Sequence, residues 1–314
     1  MLTPDPQIAE AFAVLVEKFT GAVAAPARGD APALRAMIDA GLDDAPVPES
    51  SGVSVTSHRV PTSDGQSIEM RWYTPDSATG PGPVVVYLHG GGMIAGKPDH
   101  VDGLVRHYAE QTGVRFAVPD YRLSPEHPGE RMARDAFETL VWVLERSETF
   151  SVDPDRAAVM GDSGGGGVAA GTAVLARDLG VPLAKQVLIY PMLDDRNTVP
   201  DPDFPPFVSW DWSANWTCWN AVLGGRQGTD HVSPIEAPAR LVDVAGLAPA
   251  YIEVGELDIF RDESISFAQR LHRAGVSCEL HVLPGVTHGH DRLSLEIDVS
   301  RRSLVERCRV LRDL

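Results

Sequence analysis

Short apolar segments alternate with helix-length segments over most of the chain. Four segments are apolar at consecutive positions, 84–88, 116–118, 157–160 and 187–190, and two more, 250–254 and 278–283, are mostly apolar. Strands that are apolar on both faces are typical of a parallel sheet buried between two layers of helices. The pattern therefore predicts an α/β fold with a mostly parallel, doubly wound sheet, which binds ligands at the carboxyl ends of its strands.

Two more strands and two helices are predicted before this alternation begins. Apolar and polar residues alternate between 68 and 72, and the turn-forming residues 63–65 precede them, which predicts a hairpin with residues 53–60. Nearer the start, apolar residues recur at steps of three to five, which indicates two amphipathic helices separated by a break at 21–32. The apolar positions of these helices are Ile8, Phe12, Val16 and Phe19, then Leu34, Met37 and Leu42.

One stretch, residues 194–228, interrupts the alternation of strands and helices. It contains Trp210, Trp212, Trp216 and Trp219, four of the six tryptophans of the chain. Tryptophan combines a large apolar surface with a polar N–H group, so the stretch is interpreted as an inserted cap over the ligand-binding edge of the sheet. We expect N-terminal cap helices over residues 1–45, a core over 46–193 and 231–314, and the cap insertion over 194–230.

Composition and charge narrow the classes of protein that fit these elements. The chain has 314 residues, of which 43% are hydrophobic and 23% are charged, as in globular proteins. Its formal net charge of −17 repels phosphate backbones and anionic lipids, so nucleic-acid binding is not expected.

Cysteine usage and the N-terminal segment indicate the compartment. Cys218, Cys278 and Cys308 are far apart and form no C-x-x-C motif, which favours a reducing compartment over a disulfide framework or a zinc site. Residues 1–19 carry neither a basic leader nor an uninterrupted apolar stretch. We therefore expect a cytoplasmic protein without stable membrane insertion.

A G-x-S-x-G motif stands at a junction between a strand and a helix. It reads Gly161-Asp162-Ser163-Gly164-Gly165, directly after segment 157–160 and before a helix-compatible segment at 167–179. In this context the motif forms a nucleophile elbow, in which a strained turn exposes the serine and leaves no room for side chains two positions on either side. The predicted nucleophile is Ser163. The alternative is a glycine-rich turn that only connects the strand to the helix.

A second glycine cluster, His89-Gly90-Gly91-Gly92, follows segment 84–88. Consecutive glycines let the main chain approach a developing oxyanion closely enough to donate N–H groups to it. We expect the N–H groups of Gly91, Gly92 and Gly164 to form an oxyanion hole. A phosphate-binding turn is the weaker alternative, because neither cluster continues into a G-K-[ST] motif.

A serine nucleophile needs a base, and that base needs an acid to orient it. Asp258 and His288 follow two of the predicted strands, and the chain order Ser163, Asp258, His288 is the order expected on this type of fold. Asp262 and Glu256 lie in the same loop as Asp258. We favour Asp258, since Asp262 suits the first turn of the following helix.

From about Gly65 onward, the chain resembles the hormone-sensitive-lipase family of α/β-hydrolases, which is also called family IV of the bacterial carboxylesterases. The resemblance rests on HGGG at 89–92, DYRLSPEHP at 120–128, GDSGG at 161–165, DIFRDE at 258–263 and HG at 288–289. It implies an α/β-hydrolase fold with a mostly parallel eight-stranded sheet and a helical cap. It also implies a serine esterase in which Ser163, Asp258 and His288 form the triad.

The chain departs from the pattern of that family at three places, one of which is Gly129-Glu130, where Phe-Pro is common. Gly164 stands where alanine is usual, and His290 stands where phenylalanine usually follows His-Gly. We expect His290 at the pocket rim, as a candidate substrate contact together with Trp210, Trp212 and Trp216. A metal site that includes His288 and His290 is a weaker alternative, because further ligands at metal-binding spacings are missing.

These observations together predict a carboxylesterase that hydrolyses short- to medium-chain esters through an acyl-enzyme and needs no metal or organic cofactor. Small acyl groups are favoured because an acidic, capped chain lacks an obvious surface for lipid interfaces. The expected partner is a small-molecule ester, and a homodimer is left open. Two alternatives also stay open: an amidase or peptidase with the same triad, and a non-catalytic small-molecule receptor on the same fold.

Overall fold

A single sheet of eight strands connects the described parts of the chain. The computed structural model describes residues 2–19, 26–202, 204 and 209–314, with only the backbone of residues 15–19. The strands are β1 (Val53–Pro61), β2 (Ser67–Pro75), β3 (Gly82–Leu88), β4 (Arg115–Pro119), β5 (Val152–Asp162), β6 (Lys185–Ile189), β7 (Ala250–Leu257) and β8 (Cys278–Thr287). Their order across the sheet is β1-β2-β4-β3-β5-β6-β7-β8.

Helices precede the first strand, lie in several of the connections between strands, and follow the last strand. They are α1 (Pro6–Phe19), α2 (Ala31–Asp43), α3 (Asp102–Thr112), α4 (Arg131–Leu144), α5 (Ser147–Phe150), α6 (Gly164–Asp178), α7 (Trp212–Leu223), α8 (Arg261–Arg273), α9 (His290–Leu293) and α10 (Asp298–Arg312), with 3₁₀ turns at Pro98–Val101 and Pro238–Arg240. Helix α3 packs against α10, and α4 packs against α6. The central strand β3, which is buried on both faces, requires such layers of helices.

The predicted α/β fold is confirmed, and each of the six segments lies in a strand except for Tyr190, which directly follows β6. The predicted hairpin is β1 and β2, which pair antiparallel from Val53 opposite Pro75 to Pro61 opposite Ser67. Strand β2 is also antiparallel to β4, whereas β4, β3, β5, β6, β7 and β8 run parallel to one another. One strand differs from the expectation of full burial. Strand β8 is partly exposed along its first seven residues because it pairs only with β7 and forms an edge of the sheet.

Parallel strands bring the ends of β5, β7 and β8 to the same edge of the sheet. Strand β5 ends at Asp162, β7 at Leu257 and β8 at Thr287. The next residues along the chain are therefore Ser163, Asp258 and His288. This topology alone brings three residues that are distant in sequence to one side of the molecule.

Some predictions fall on parts of the chain outside the described residues. They include the side chains of Val16 and Phe19, part of the predicted break at 21–32, and positions 203 and 205–208 of the predicted cap insertion. Across the ranges that the structure does describe, no helix is both long and apolar enough to cross a lipid bilayer.

A cluster of ionised side chains is buried where α10 packs near the carboxyl ends of β6 and β7. Arg307 of α10 donates to Asp291 Oδ2 at 2.5 Å and to Glu253 Oε1 at 2.7 Å. The hydroxyl of Tyr190 donates to Asp291 Oδ1 at 2.8 Å, and that of Tyr251 donates to Glu253 Oε2 at 2.9 Å. All five side chains are almost completely buried. Together they form the buried ion cluster.

Arg307 keeps both carboxylates of the buried ion cluster ionised. Burial by itself would raise the pKa of Glu253, but the charge of Arg307 and the contact with His290 outweigh burial and lower this pKa to about 2. The same competition between burial and the charge of Arg307 places the pKa of Asp291 below its ordinary value. The cluster is therefore stable only while the cation is present, because an unpaired buried carboxylate is costly.

Replacement of Arg307 by methionine should lower the free energy of unfolding near pH 7 by about 3–5 kcal/mol, because it leaves two buried carboxylates without their cation. In the wild type, carboxyl groups with lowered pKa values stabilise the fold above about pH 4, and this contribution disappears as the pH falls towards 2. In Arg307→Met, burial should raise both pKa values, so the variant should gain stability as the pH falls from about 7 to about 5. Urea unfolding at both pH values measures whether the stability of the variant rises or falls.

Arg309→Met is the matched control for this experiment. Arg309 lies on the same helix, and it pairs with Glu279 and Glu306 at the surface. Exposed pairs of this kind contribute about 0–1 kcal/mol. An equal loss of stability in both variants, or the same pH dependence in Arg307→Met as in the wild type, would contradict the assigned role of Arg307.

Candidate active site

Ser163 occupies the turn between β5 and α6 in a strained backbone conformation, with φ of 56° and ψ of −121°. Its N–H group donates to Ile189 O of β6 at 2.9 Å, which holds the turn against the next strand. A Cβ atom on Gly161 would overlap the carbonyl group of Gly165, and one on Gly165 would overlap the carbonyl group of Leu88. Only glycine fits at these two positions, so the turn can close tightly behind the serine.

Ser163, His288 and Asp258 form a continuous chain of hydrogen bonds. His288 Nε2 lies 2.9 Å from Ser163 Oγ, and His288 Nδ1 lies 2.7 Å from Asp258 Oδ2. Asp258 is fully buried, and its second oxygen accepts from the backbone N–H group of Phe260 at 2.9 Å. A carboxylate at Nδ1 fixes the tautomer in which Nε2 can accept the proton of the serine hydroxyl.

The two competing carboxylates of the Asp258 loop have other partners. The side chain of Asp262 is 73% exposed and pairs with Arg261. Glu256 Oε2 accepts from the backbone N–H group of Gly285 at 3.0 Å, which braces the end of β8. Of the three carboxylates considered in this loop, Asp258 is the one that reaches His288.

Aromatic rings surround the imidazole of His288. Tyr190 and Phe260 approach it edge-on, with ring centres 4.8 and 5.1 Å away, and the ring centre of Trp210 lies at 6.2 Å. Ser209 Oγ donates to the carbonyl oxygen of His288 at 2.7 Å. These contacts restrict the ring to the orientation in which it faces Ser163. Tyr190 and Phe260 have no motif in the sequence that marks them as neighbours of the base.

The HGGG backbone passes directly over the beginning of α6. The backbone nitrogens of Gly92 and Met93 lie 2.9 and 2.7 Å from the position that a Cβ atom on Gly164 would take. Gly91 and Gly92 have positive φ values of 120° and 61°, which glycine adopts without strain. The N–H groups of Gly91, Gly92 and Gly164 donate to no other described residue. Such free donors beside a serine nucleophile suit an oxyanion.

Trp210 lies beside both His288 and the HGGG loop. Its Cη2 atom lies 3.5 Å from the position that a Cβ atom on Gly92 would take. Cys218 Sγ of α7 lies 2.5 Å from the same position. The indole Nε1 atom is buried and has no hydrogen-bond partner in the described part of the chain. Trp210 therefore covers the space between the base and the glycine loop.

The other two tryptophans predicted as substrate contacts have structural partners. Trp212 Nε1 donates to Asn197 Oδ1 at 2.9 Å. The guanidinium group of Arg28 lies 4.5 Å from the ring centre of Trp216. Neither contact involves a residue of the triad or of the HGGG loop.

The prediction that His290 lies at the pocket rim is wrong. His290 is completely buried, and its Nδ1 atom lies 3.1 Å from Ser300 Oγ of α10. Its Nε2 atom is 3.5 Å from Glu253 of the buried ion cluster. The chain turns at Gly289, which has a φ of 64°, and α9 then directs His290 away from His288. The two histidines face different partners, so they form no common metal site.

One group of three side chains among the described residues has the spacing of metal ligands, namely Glu279, His281 and Glu306. It lies on β8 and α10, away from the triad. Arg309 bonds to Glu279 at 2.6 Å and to Glu306 at 2.7 Å, so both carboxylates of the group already have a cationic partner.

Comparisons with known proteins agree with this geometry. A family model described as the α/β-hydrolase fold matches residues 85–291, more than half of the chain. Carboxylesterase NlhH of Mycobacterium tuberculosis is 36% identical over 240 residues, which cover 73% of each chain. An ethyl acetate hydrolase of Pseudomonas putida is 32% identical over 250 residues, which cover 78% of each chain.

A solved structure of a bacterial heroin esterase superposes with a TM-score of 0.89 at 35% identity, over 99% of this chain and 98% of that chain. The resemblance inferred from the sequence blocks is thereby confirmed. The chain belongs to the α/β-hydrolase family, in its hormone-sensitive-lipase branch, and is a carboxylic ester hydrolase.

Proposed function

We propose that this carboxylesterase cleaves short- to medium-chain esters through an acyl-enzyme formed on Ser163. The observation that carries the proposal is the distance of 2.9 Å between Ser163 Oγ and His288 Nε2, together with the contact between His288 and buried Asp258. A serine hydroxyl is a weak nucleophile at its ordinary pKa, and a hydrogen-bonded imidazole is the group that activates it.

In the acylation step, His288 Nε2 takes the proton of Ser163 while Oγ attacks the carbonyl carbon of the ester. The carbonyl oxygen becomes an oxyanion, which accepts hydrogen bonds from the N–H groups of Gly91, Gly92 and Gly164. The bond between the carbonyl carbon and the alcohol oxygen then breaks. His288 gives its proton to the departing alcohol, and the acyl group stays on Ser163.

In the deacylation step, a water molecule attacks the acyl carbon along the same path. His288 takes a proton from the water and returns one to Ser163 as the carboxylic acid leaves. Asp258 stabilises the imidazolium that forms in both steps. The side chains and backbone groups of this chain are sufficient for the whole cycle, without a metal ion or organic cofactor.

The proposed preference for small esters rests on Trp210. Its ring covers the space beside Gly92 and His288, where the reacting carbon must lie. A bulky indole at this place limits the length of the chain that fits beside the oxyanion hole. The name of the Pseudomonas putida relative, an ethyl acetate hydrolase, supports a small ester as substrate.

We also propose that residues 1–45 and 194–230 form one cap over a core made of residues 46–193 and 231–314. In support, the N–H group of Gly29 donates to Thr217 Oγ1 of α7 at 2.9 Å, so the two cap segments contact each other.

The three cysteines are free thiols, which suits a cytoplasmic location. A homodimer is compatible with β8, which forms an edge of the sheet.

Ser163→Ala should lower kcat/KM for nitrophenyl butyrate by about 10³-fold or more, because the nucleophile and its base act as a unit. Ser54→Ala, at an exposed position on β1, is the control. The wild type should also incorporate one organophosphonate group per chain at Ser163. Retention of most of the activity in Ser163→Ala would refute the proposal, and an inert Ser163 would favour a receptor. Equal rates on anilides and esters would favour an amidase.

Trp210→Ala should raise the ratio of kcat/KM for octanoate to kcat/KM for acetate by about tenfold, because removal of the indole opens the space beside Gly92. Trp216→Ala is the matched control in the same cap segment and should leave this ratio unchanged. Rates on a series of nitrophenyl esters from acetate to dodecanoate provide the measurement. The same shift in both variants would show that general loosening of the cap, and not Trp210, sets the preference.

A further inference from the structure

Helix α2 presents a row of polar side chains to the loops of the active site. Arg35, Asp39 and Asp43 are spaced by four residues and therefore lie on one face of the helix. Ala31 and Leu34 are buried and anchor the beginning of the helix. The polar row would suit a solvated face, yet each of its three members contacts a residue of another segment.

Arg35 connects three segments of the chain at once. Its Nε atom donates to the carbonyl oxygen of Ile94 at 2.5 Å, and Nη2 donates to that of Ser124 at 2.7 Å. Nη1 and Nη2 bond to the two carboxylate oxygens of Glu126 at 2.8 and 2.6 Å. A planar guanidinium group can satisfy all these acceptors together, whereas an ammonium group cannot.

Asp39 contacts the same loop two residues further on. Its Oδ1 atom accepts from the backbone N–H group of Gly96 at 2.8 Å. Within the loop, the N–H group of Ala95 donates to the carbonyl oxygen of Gly91 at 3.0 Å, so residues 91–95 form a closed turn. A movement of Ile94 or Gly96 is therefore transmitted to Gly91.

We propose that Arg35 and Asp39 are positioning residues of the oxyanion hole. They hold the loop after Gly92 so that the N–H groups of Gly91 and Gly92 face the oxyanion. They contact neither Ser163 nor the ester. The inference rests on the proposed function of Gly91 and Gly92. Preorganised donors stabilise a transition state only while their direction is maintained, so a small shift of the loop reduces the rate.

Asp39→Ala should lower kcat per active site by about tenfold and leave KM within about twofold, because the lost contact acts on the transition state. Titration of active sites with an organophosphonate corrects for misfolded protein. The affinity for a trifluoromethyl ketone, whose adduct with serine carries an oxyanion, should fall in parallel. The affinity for the corresponding alcohol should stay unchanged.

Three further variants test the inference. Asp39→Asn retains an oxygen that can accept from Gly96 and should restore most of kcat. Arg35→Lys keeps the charge but loses the planar guanidinium group that donates to several acceptors at once, so kcat should fall about as far as in Asp39→Ala. Asp43→Ala is the matched control, since Asp43 belongs to the same row but contacts His100 at 3.0 Å and Lys97 at 3.8 Å.

Unchanged kcat in Asp39→Ala, or an equal loss in Asp43→Ala, would overturn the inference. A parallel rise of KM with unchanged affinity for the ketone would also overturn it, because the contact would then serve ground-state binding. These outcomes are distinct from a failure of the proposed function, which requires activity to persist in Ser163→Ala. An inactive Ser163→Ala combined with a fully active Asp39→Ala would refute the positioning role alone.

Discussion

The close approach of two backbone segments, residues 88–93 and the first turn of α6, is the constraint on which the active site depends. A Cβ atom on Gly165 would overlap the carbonyl group of Leu88, and one on Gly164 would lie 2.7 Å from the nitrogen of Met93. The two segments are thus packed main chain against main chain. The nucleophile and the free N–H donors are held in one rigid unit, whose geometry does not rely on flexible side chains.

The two segments proposed as a cap contact the loop that follows Gly92 and the loop of Asp258. Asn197 of the insertion donates to the carbonyl oxygen of Ile259, next to Asp258, at 2.7 Å, and it accepts from Trp212 at 2.9 Å. Helix α2 bonds to the loop that follows Gly92. One of these segments therefore contacts the loop of Asp258 and the other contacts the loop after Gly92, so a movement of the proposed cap would reach both loops.

The sequence allowed prediction of the strands and of the strand ends where Ser163, Asp258 and His288 converge, because these depend on short-range patterns and on parallel topology. The direction of a side chain after a turn is not encoded in such patterns, and His290 was misplaced for this reason. Arg307 among the apolar residues of α10 was an available signal for the buried ion cluster. Arg35 and Asp39 have the spacing of a solvated helix face, so only tertiary contacts identify them.

The buried ion cluster also explains how His288 keeps a single carboxylate partner in a region rich in carboxylates. Arg307 and two tyrosine hydroxyls satisfy Glu253 and Asp291. Tyr190 connects the buried ion cluster to the active site, because its hydroxyl bonds to Asp291 and its ring packs edge-on against His288. On this side, His288 thus contacts a neutral aromatic ring. Asp258 is the one carboxylate on His288 among the described residues, and a carboxylate at Nδ1 favours the tautomer in which Nε2 can accept the proton of a serine hydroxyl.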